Sequence, residues 1–214
     1  MIIKHRFITA KAGSGIKPSV IVKGVVSINN NWGAMPQTIL VEHVEVLQTE
    51  GSIQRLADRI DKLTPEFDQN RMVDAWGKLD VALDVTSAPA LEDLISDADG
   101  FYEVTTGTAH SDYSRHYKVG RLRLFDEARR QLDDNRLVFS QDRDGWPDVQ
   151  TAMSEATGKP PRNEQDGLLL LETTTNDDIT LAISLLVWRA IKHTPITHKE
   201  IDYSAMDAAN TPTW

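Results

Sequence analysis

The chain has 214 residues, of which 40% are hydrophobic and 26% charged, the balance of a globular protein with one sizeable core. The lack of cysteine excludes disulfide bonds, cysteine-based zinc sites and a cysteine nucleophile, and it fits a reducing compartment such as the bacterial cytoplasm. The net charge of −9 argues against strong autonomous DNA binding and leaves only a local basic patch for phosphate contacts.

The first 47 residues predict three β-strands. Residues 7–10 and the β-branched run 20–28 flank a turn-rich segment with two glycines and a proline, which predicts a long hairpin. Residues 38–47 alternate between apolar and polar side chains, as a third strand does. No stretch of about 18 apolar residues follows anywhere in the chain, so no membrane span is expected.

Helices and strands alternate in the middle of the chain. Ser52 is a suitable N-cap for an amphipathic helix over residues 53–63, and residues 79–85 form a short strand that contains Asp84. Pro89 is expected to open a helix that continues to Ile95. The segments that follow predict a strand at 101–106, a polar loop at 110–117, a helix at 121–132 and a strand at 136–140.

The last part of the chain predicts a buried helix. Residues 148–156 and 167–172 read as a short helix and a strand, and Asn176 is expected to cap a helix over 177–192 that is apolar nearly all round. Residues 194–214 are expected to be a fraying tail. Three antiparallel-type strands followed by alternating helices and strands predict a mixed sheet covered by helices.

Four segments in this order carry a resemblance to a known family. They are residues 52–63, Leu83-Asp84-Val85-Thr86 with 91–95, 104–107 with 119–122, and Asn176-Asp177-Asp178 continuing to 182. The last is the most specific, because an acidic pair opens a helix that runs into alanine and leucine. Together they resemble the nuclease domain of phage terminase large subunits, a ribonuclease H-like family, over residues 7–192.

The resemblance implies an α/β fold of ribonuclease H-like type over residues 1–193, with a mixed central β-sheet and helices on both faces. It implies hydrolysis of viral DNA during genome packaging with two Mg²⁺ or Mn²⁺ ions. Asp84, Asp177 and Asp178 would be the catalytic residues, with Asp84 and Asp178 as metal ligands. Expected partners are double-stranded DNA and packaging ATPase or portal proteins, with no membrane, in the cytoplasm of a bacterium carrying a phage or prophage.

The first metal-ligand position departs from the family pattern. Where the family has roughly Gly-x-Asp-x-Gly, this chain has Thr9-Ala10-Lys11-Ala12-Gly13, and its nearest following acids are Glu42 and Glu45. An ammonium there would compete with a metal and could pair with Asp84 or Asp178 instead. Two functions follow from this departure. One is a Mg- or Mn-dependent DNA endonuclease with intact or impaired activity, and the other is an inactive domain that binds DNA or protein in a packaging complex.

Each candidate residue also has a structural alternative. Asp84 could form a turn, Asp177 and Asp178 could stabilise a helix dipole, and Lys11 could be exposed if the first strand is shifted. One basic cluster stands out in this acidic chain, and its predicted role is phosphate contact, against the alternative of a solvated helix start. The predicted DNA-binding residues of this cluster are Arg115, Lys118, Arg121 and Arg123.

Overall fold

The structure, a computed structural model, describes seven segments of the chain: residues 2–13, 18–29, 36–47, 53–68, 76–105, 110–140 and 175–192. Its strands and helices, in chain order, are β1 (Ile2–Lys11), β2 (Ser19–Asn29), β3 (Pro36–Leu47), α1 (Ile53–Asp68), β4 (Trp76–Asp84), α2 (Leu91–Leu94), β5 (Gly100–Thr105), β6 (His110–Tyr113), β7 (His116–Gly120), α3 (Arg121–Asp133), β8 (Leu137–Phe139) and α4 (Thr175–Lys192). The predicted elements at 148–156 and 167–172 and the tail lie outside these segments.

One eight-stranded sheet has the order β6-β7-β5-β4-β1-β2-β3-β8. The first three strands are antiparallel neighbours, as the predicted hairpin requires, and β4, β5 and β7 continue parallel to β1 on its other side. The carboxyl ends of β1, β4, β5 and β7 therefore meet at one edge of the sheet. This topology confirms the predicted mixed α/β sheet.

Helices cover both faces of the sheet. Side chains alternate along β1, so Ile8 packs with α1 and α2, whereas Phe7 packs with α4 on the other face. The apolar sequence of α4 predicted its burial, and every described side chain from Asp178 to Ala190 is buried. None of the helices among the described residues has the length and apolar character needed to cross a membrane.

The helix α4 runs antiparallel to β1 and is fixed to it at two levels. Thr9 Oγ1 donates a hydrogen bond of 2.9 Å to the carbonyl of Ala182. Lys11, two residues further along β1, contacts Asp178, four residues earlier in α4. The two contacts are about 6.6 Å apart along β1, the rise of two strand residues, and about 6 Å apart along α4, the rise of four helical residues. Because these distances agree, both contacts can form at once. This register places the start of α4 over the ends of β1 and β4.

Two predicted segments differ in the structure. The helix expected from Pro89 to Ile95 is a single turn, because residues 85–92 are joined mostly by hydrogen bonds that span three residues instead of four. The polar loop expected at 110–117 is a hairpin, β6–β7, that turns at Ser114 with a φ of 58°. Since β6 is an edge strand and the described side chains from Tyr113 to Lys118 are mostly exposed, no apolar alternation marks this hairpin.

The sequence did not predict the buried ion pair between Arg189 of the apolar helix α4 and Asp80 of β4. Arg189 on α4 donates two hydrogen bonds of 2.8 Å to the two carboxylate oxygens of Asp80 on β4, and one of 3.1 Å to the carbonyl of Asp99. Its guanidinium also lies 3.4 Å from the hydroxyl of Tyr102. Burial raises the pKa of Tyr102 above its usual range, so this hydroxyl stays protonated. The pair fixes the carboxyl end of α4 against β4.

Candidate functional site

The candidate site lies where β1 and β4 end beneath the start of α4. Lys11 and Asp84 are the last residues of their strands and are opposite each other in the parallel register. Both side chains point to the α4 face, because Thr9 and Ala82, two residues earlier, also face that helix. The structure therefore brings together Lys11, Asp84 and Asp178, the three residues that the family pattern singled out.

The contact between Lys11 and Asp178 is a buried ion pair. Lys11 Nζ lies 2.9 Å from Asp178 Oδ1, and the two side chains are only 11% and 7% exposed. The ammonium also donates a longer hydrogen bond of 3.4 Å to the carbonyl of Ala12. The other carboxylate oxygen of Asp178, Oδ2, is buried without a hydrogen bond among the described residues. The alternative of an exposed lysine is wrong.

Asp84 is held by its own turn and not by the lysine. Its Oδ1 accepts hydrogen bonds from the backbone N–H of Thr86 at 3.0 Å and from the Thr86 hydroxyl at 2.5 Å. Burial raises the pKa of Asp84, and the negative charge of Asp178 raises it further, against the opposing effects of the Thr86 hydrogen bonds and the Lys11 charge. Burial is therefore the dominant influence on the pKa of Asp84 and acts against its charged form.

Thr86 and Ser87, which follow Asp84 closely, join the neighbouring strand ends. The hydroxyl of Thr86 accepts a hydrogen bond of 2.7 Å from the backbone N–H of Val104 on β5. Ser87 donates a hydrogen bond of 2.8 Å from its hydroxyl to the carbonyl of Ala12 after β1. The Ser87 hydrogen bond thus links the segments that carry Lys11 and Asp84.

These residues do not fit a two-metal centre as they stand. Mg²⁺ and Mn²⁺ require several clustered oxygen ligands, and two ions require more negative charge than one. Here an ammonium contacts one of the two described carboxylates, and burial raises the pKa of the other. Within the described segments, no group of three or more histidine, aspartate or glutamate residues could hold a metal. The side chain of Asp177 lies outside the described residues.

Glu45 on β3 does not replace the missing aspartate in the described arrangement. It accepts hydrogen bonds of 2.9 and 3.0 Å from Arg59 on α1, which packs on the opposite face of the sheet from α4. Burial alone would raise the pKa of Glu45, but the hydrogen bonds and charges of Arg59 and His43 outweigh it and lower the pKa. Glu45 is therefore held away from the candidate site.

The four predicted DNA-binding residues face different partners, and Arg115 and Arg121 lie at opposite ends of β7. Arg115 donates hydrogen bonds of 2.9 and 3.0 Å to the carbonyls of Ser96 and Ala98, and Lys118 lies 2.9 Å from a Glu103 oxygen. The others lie on the first turn of α3. Arg121 is buried over the Phe125 ring at 4.9 Å, and Arg123 lies over Trp188 at 5.4 Å. Their role in DNA binding stays a prediction.

A cleft of about 500 Å³ opens beside the site on the α2 face of the sheet. Its floor is formed by two pairs of residues from the adjacent strands β5 and β7, Phe101 with His116 and Glu103 with Lys118. The remaining lining residues come from the β4–α2 segment and the hairpin: Val85, Thr86, Pro89, Glu92, Tyr113 and Tyr117. Sequence reasoning missed this cleft because the hairpin that forms its far wall was predicted as a loop.

No protein-family model and no curated protein sequence matches the chain. Solved structures with a similar arrangement include the human cytomegalovirus terminase nuclease domain, soaked with Mn, at 11% identity and a TM-score of 0.49, with 89% of this chain and 85% of that chain covered. The inhibitor-bound form of that domain gives 11% identity and a TM-score of 0.48, with 88% and 83% covered. Thermus thermophilus RuvC gives 12% identity and a TM-score of 0.32, with 89% and 96% covered. At this level the likeness describes the fold and not the activity.

Proposed function

We propose that the chain is a ribonuclease H-like domain of a viral DNA-packaging complex that acts as a protein-binding module and does not hydrolyse DNA. The observation that carries the proposal is the buried ion pair between Lys11 and Asp178, with 2.9 Å between the ammonium and the carboxylate. The packaging setting comes from the resemblance to terminase nuclease domains, and it makes a packaging ATPase or a portal protein the expected partner.

Electrostatics supports the loss of catalysis. A charge pair at 2.9 Å has an attraction of about 6 kcal/mol at an effective dielectric constant near 20, before desolvation is subtracted. A divalent ion would have to displace the ammonium, and Lys11 would then need a new partner or a path to water. The lysine already supplies the positive charge that Asp178 needs, so the folded site is neutralised without an ion.

Protein is favoured over DNA as the partner because the described cations are largely occupied. Lys118 pairs with Glu103, and Arg115 is bound to two carbonyls. The whole chain carries a charge of −9, which repels a phosphate backbone unless cations are concentrated on one surface. Cations that are already paired within the protein neutralise fewer DNA phosphates and so release fewer counterions. The affinity for DNA should therefore be low at physiological salt.

The proposal is tested by nicking of supercoiled plasmid with Mn²⁺. Wild type, Lys11→Asp and the double variant Lys11→Asp/Asp84→Ala are compared, with the double variant as the matched control. The expected result is no nicking by wild type above the level of the double variant. Wild-type nicking that disappears in Asp84→Ala alone would overturn the proposal in favour of an active endonuclease. Nicking by Lys11→Asp alone would support it, since the lysine would then be what prevents catalysis.

DNA binding is measured separately by fluorescence anisotropy with a labelled duplex. The expected dissociation constant is weaker than about 10⁻⁴ M at physiological salt, the weak end of ordinary non-specific binding. A dissociation constant in the micromolar range that weakens in Arg123→Ala would contradict the preference for a protein partner.

A further inference from the structure

Aromatic side chains line the cleft beside the site: Phe101 is buried and lies under the Arg115 guanidinium at 5.7 Å, whereas His116 and Tyr113 are exposed. The rings of Phe101 and His116 stack at 5.3 Å between centroids, since the two residues are opposite each other on β5 and β7. Tyr113 lines the far wall and is 82% exposed, an unusual state for so large a ring. Aromatic surfaces of this kind attract cations through the negative faces of their rings.

Carboxylates lie among these rings. Glu92 on α2 and Glu103 on β5 both line the cleft, with side chains 33% and 55% exposed. Asp93 and Asp97 are exposed close by in sequence, on and after α2. One lysine faces these carboxylates: Lys118 Nζ lies 2.9 Å from Glu103, whereas Glu92 lies 3.7 Å from the ring of His116. The lining of the cleft thus holds two carboxylates against one lysine.

We propose that this cleft binds a basic segment of a partner protein, with an arginine side chain entering between Tyr113 and the floor of the cleft. The guanidinium would stack on the aromatic rings and pair with the carboxylates of Glu92 and Glu103. A planar guanidinium can do both at once, whereas a lysine ammonium has no flat face to stack. The inference rests on the proposed function, because it identifies the surface through which the module would bind protein.

The size and charge of the cleft favour this occupant over a nucleic acid or a large apolar group. A volume of about 500 Å³ accepts one long side chain with its flanking backbone, and lies in the usual range for ligand pockets. A nucleotide phosphate would meet two carboxylates and a lysine that is already paired. A purely apolar side chain would remove water from those carboxylates without offering them a hydrogen bond.

The test is a titration with a capped hexa-arginine peptide, followed by backbone amide shifts in NMR spectra and by calorimetry at low salt. The expected result is shift changes confined to α2, β5 and the β6–β7 hairpin, and affinity at least five-fold lower for a capped hexa-lysine peptide. Glu92→Gln and Tyr113→Ala should each weaken hexa-arginine binding several-fold. Both side chains are partly or largely exposed, so the variants should fold.

The matched control is Asp126→Asn, which removes an exposed negative charge from α3, away from the cleft. Equal weakening by Asp126→Asn and Glu92→Gln would mean general attraction to an acidic protein, and it would overturn the proposal. So would shift changes elsewhere, or tighter binding of a single-stranded hexanucleotide than of the peptide. These outcomes leave the nicking test untouched, so failure of the cleft and failure of the proposed function are told apart.

Discussion

Replacing Lys11 by methionine isolates the ion pair at the candidate site. The change keeps most of the side-chain length and apolar stem but removes the ammonium, so Asp178 is left buried with no cation at 2.9 Å. Removing one partner of a buried pair typically costs about 3–5 kcal/mol. The side chains here are 11% and 7% exposed, which allows some access of water and places the expected loss near the lower end, about 3 kcal/mol at pH 7. Urea unfolding of wild type and Lys11→Met at pH 7 measures this loss of stability.

A matched control is Lys62→Met, which removes an exposed ammonium from α1. Its free energy of unfolding should change by less than about 0.5 kcal/mol. If the free energy of unfolding of Lys11→Met also changes by less than about 1 kcal/mol, then the pair does not hold the site together as reasoned.

Three further predictions concern the framework around the site. Arg189→Met should cost about 3–5 kcal/mol in urea unfolding, because it leaves Asp80 buried without its two-point partner. Burial lowers the pKa of His5, so the folded state binds fewer protons than the unfolded chain and stability should fall as the pH drops below about 6.5. A His5→Leu variant should lose that slope. Gly24→Ala should cost about 1–3 kcal/mol and lower the melting temperature, because its Cβ would lie 2.7 Å from a Leu186 methyl and 2.9 Å from a backbone oxygen.

A surface variant provides the control for Arg189→Met. Arg129→Met, on an exposed pair with Asp133, should change the free energy of unfolding by less than about 0.5 kcal/mol. An equally small change in Arg189→Met would contradict the role of the buried pair. If His5→Leu keeps the acid-side slope of wild type, other groups cause that slope.

The regular elements could be predicted because their patterns are local. The β-branched alternation of β2 and β3 and the apolar spacing of α1, α3 and α4 are set by residues within a few positions of each other. The β6–β7 hairpin could not be predicted, since an exposed edge strand needs no apolar face. The Arg189–Asp80 pair joins residues 109 positions apart, and no spacing rule reaches that far.

The candidate site was predictable only in part. Comparison with the family pattern singled out Lys11, Asp84 and Asp178, and the strand-end and helix-start positions explain why they meet. The sequence could not show which of the two carboxylates Lys11 pairs with. In the structure Lys11 pairs with Asp178, whereas Asp84 accepts two hydrogen bonds from Thr86. The departure at Lys11 thus carries more information about function than the residues that agree with the family.

The central claim is that Lys11 takes the place of a metal ion. The most direct measurement is Mn²⁺ binding followed by thermal unfolding and by electron paramagnetic resonance of the free ion, for wild type, Lys11→Asp and Asp84→Ala. The account predicts that about 5 mM Mn²⁺ leaves the melting temperature of wild type unchanged and that Lys11→Asp binds the ion and is stabilised by it. A rise in the wild-type melting temperature that is lost in Asp84→Ala would contradict it, because the metal site would then have survived beside the lysine.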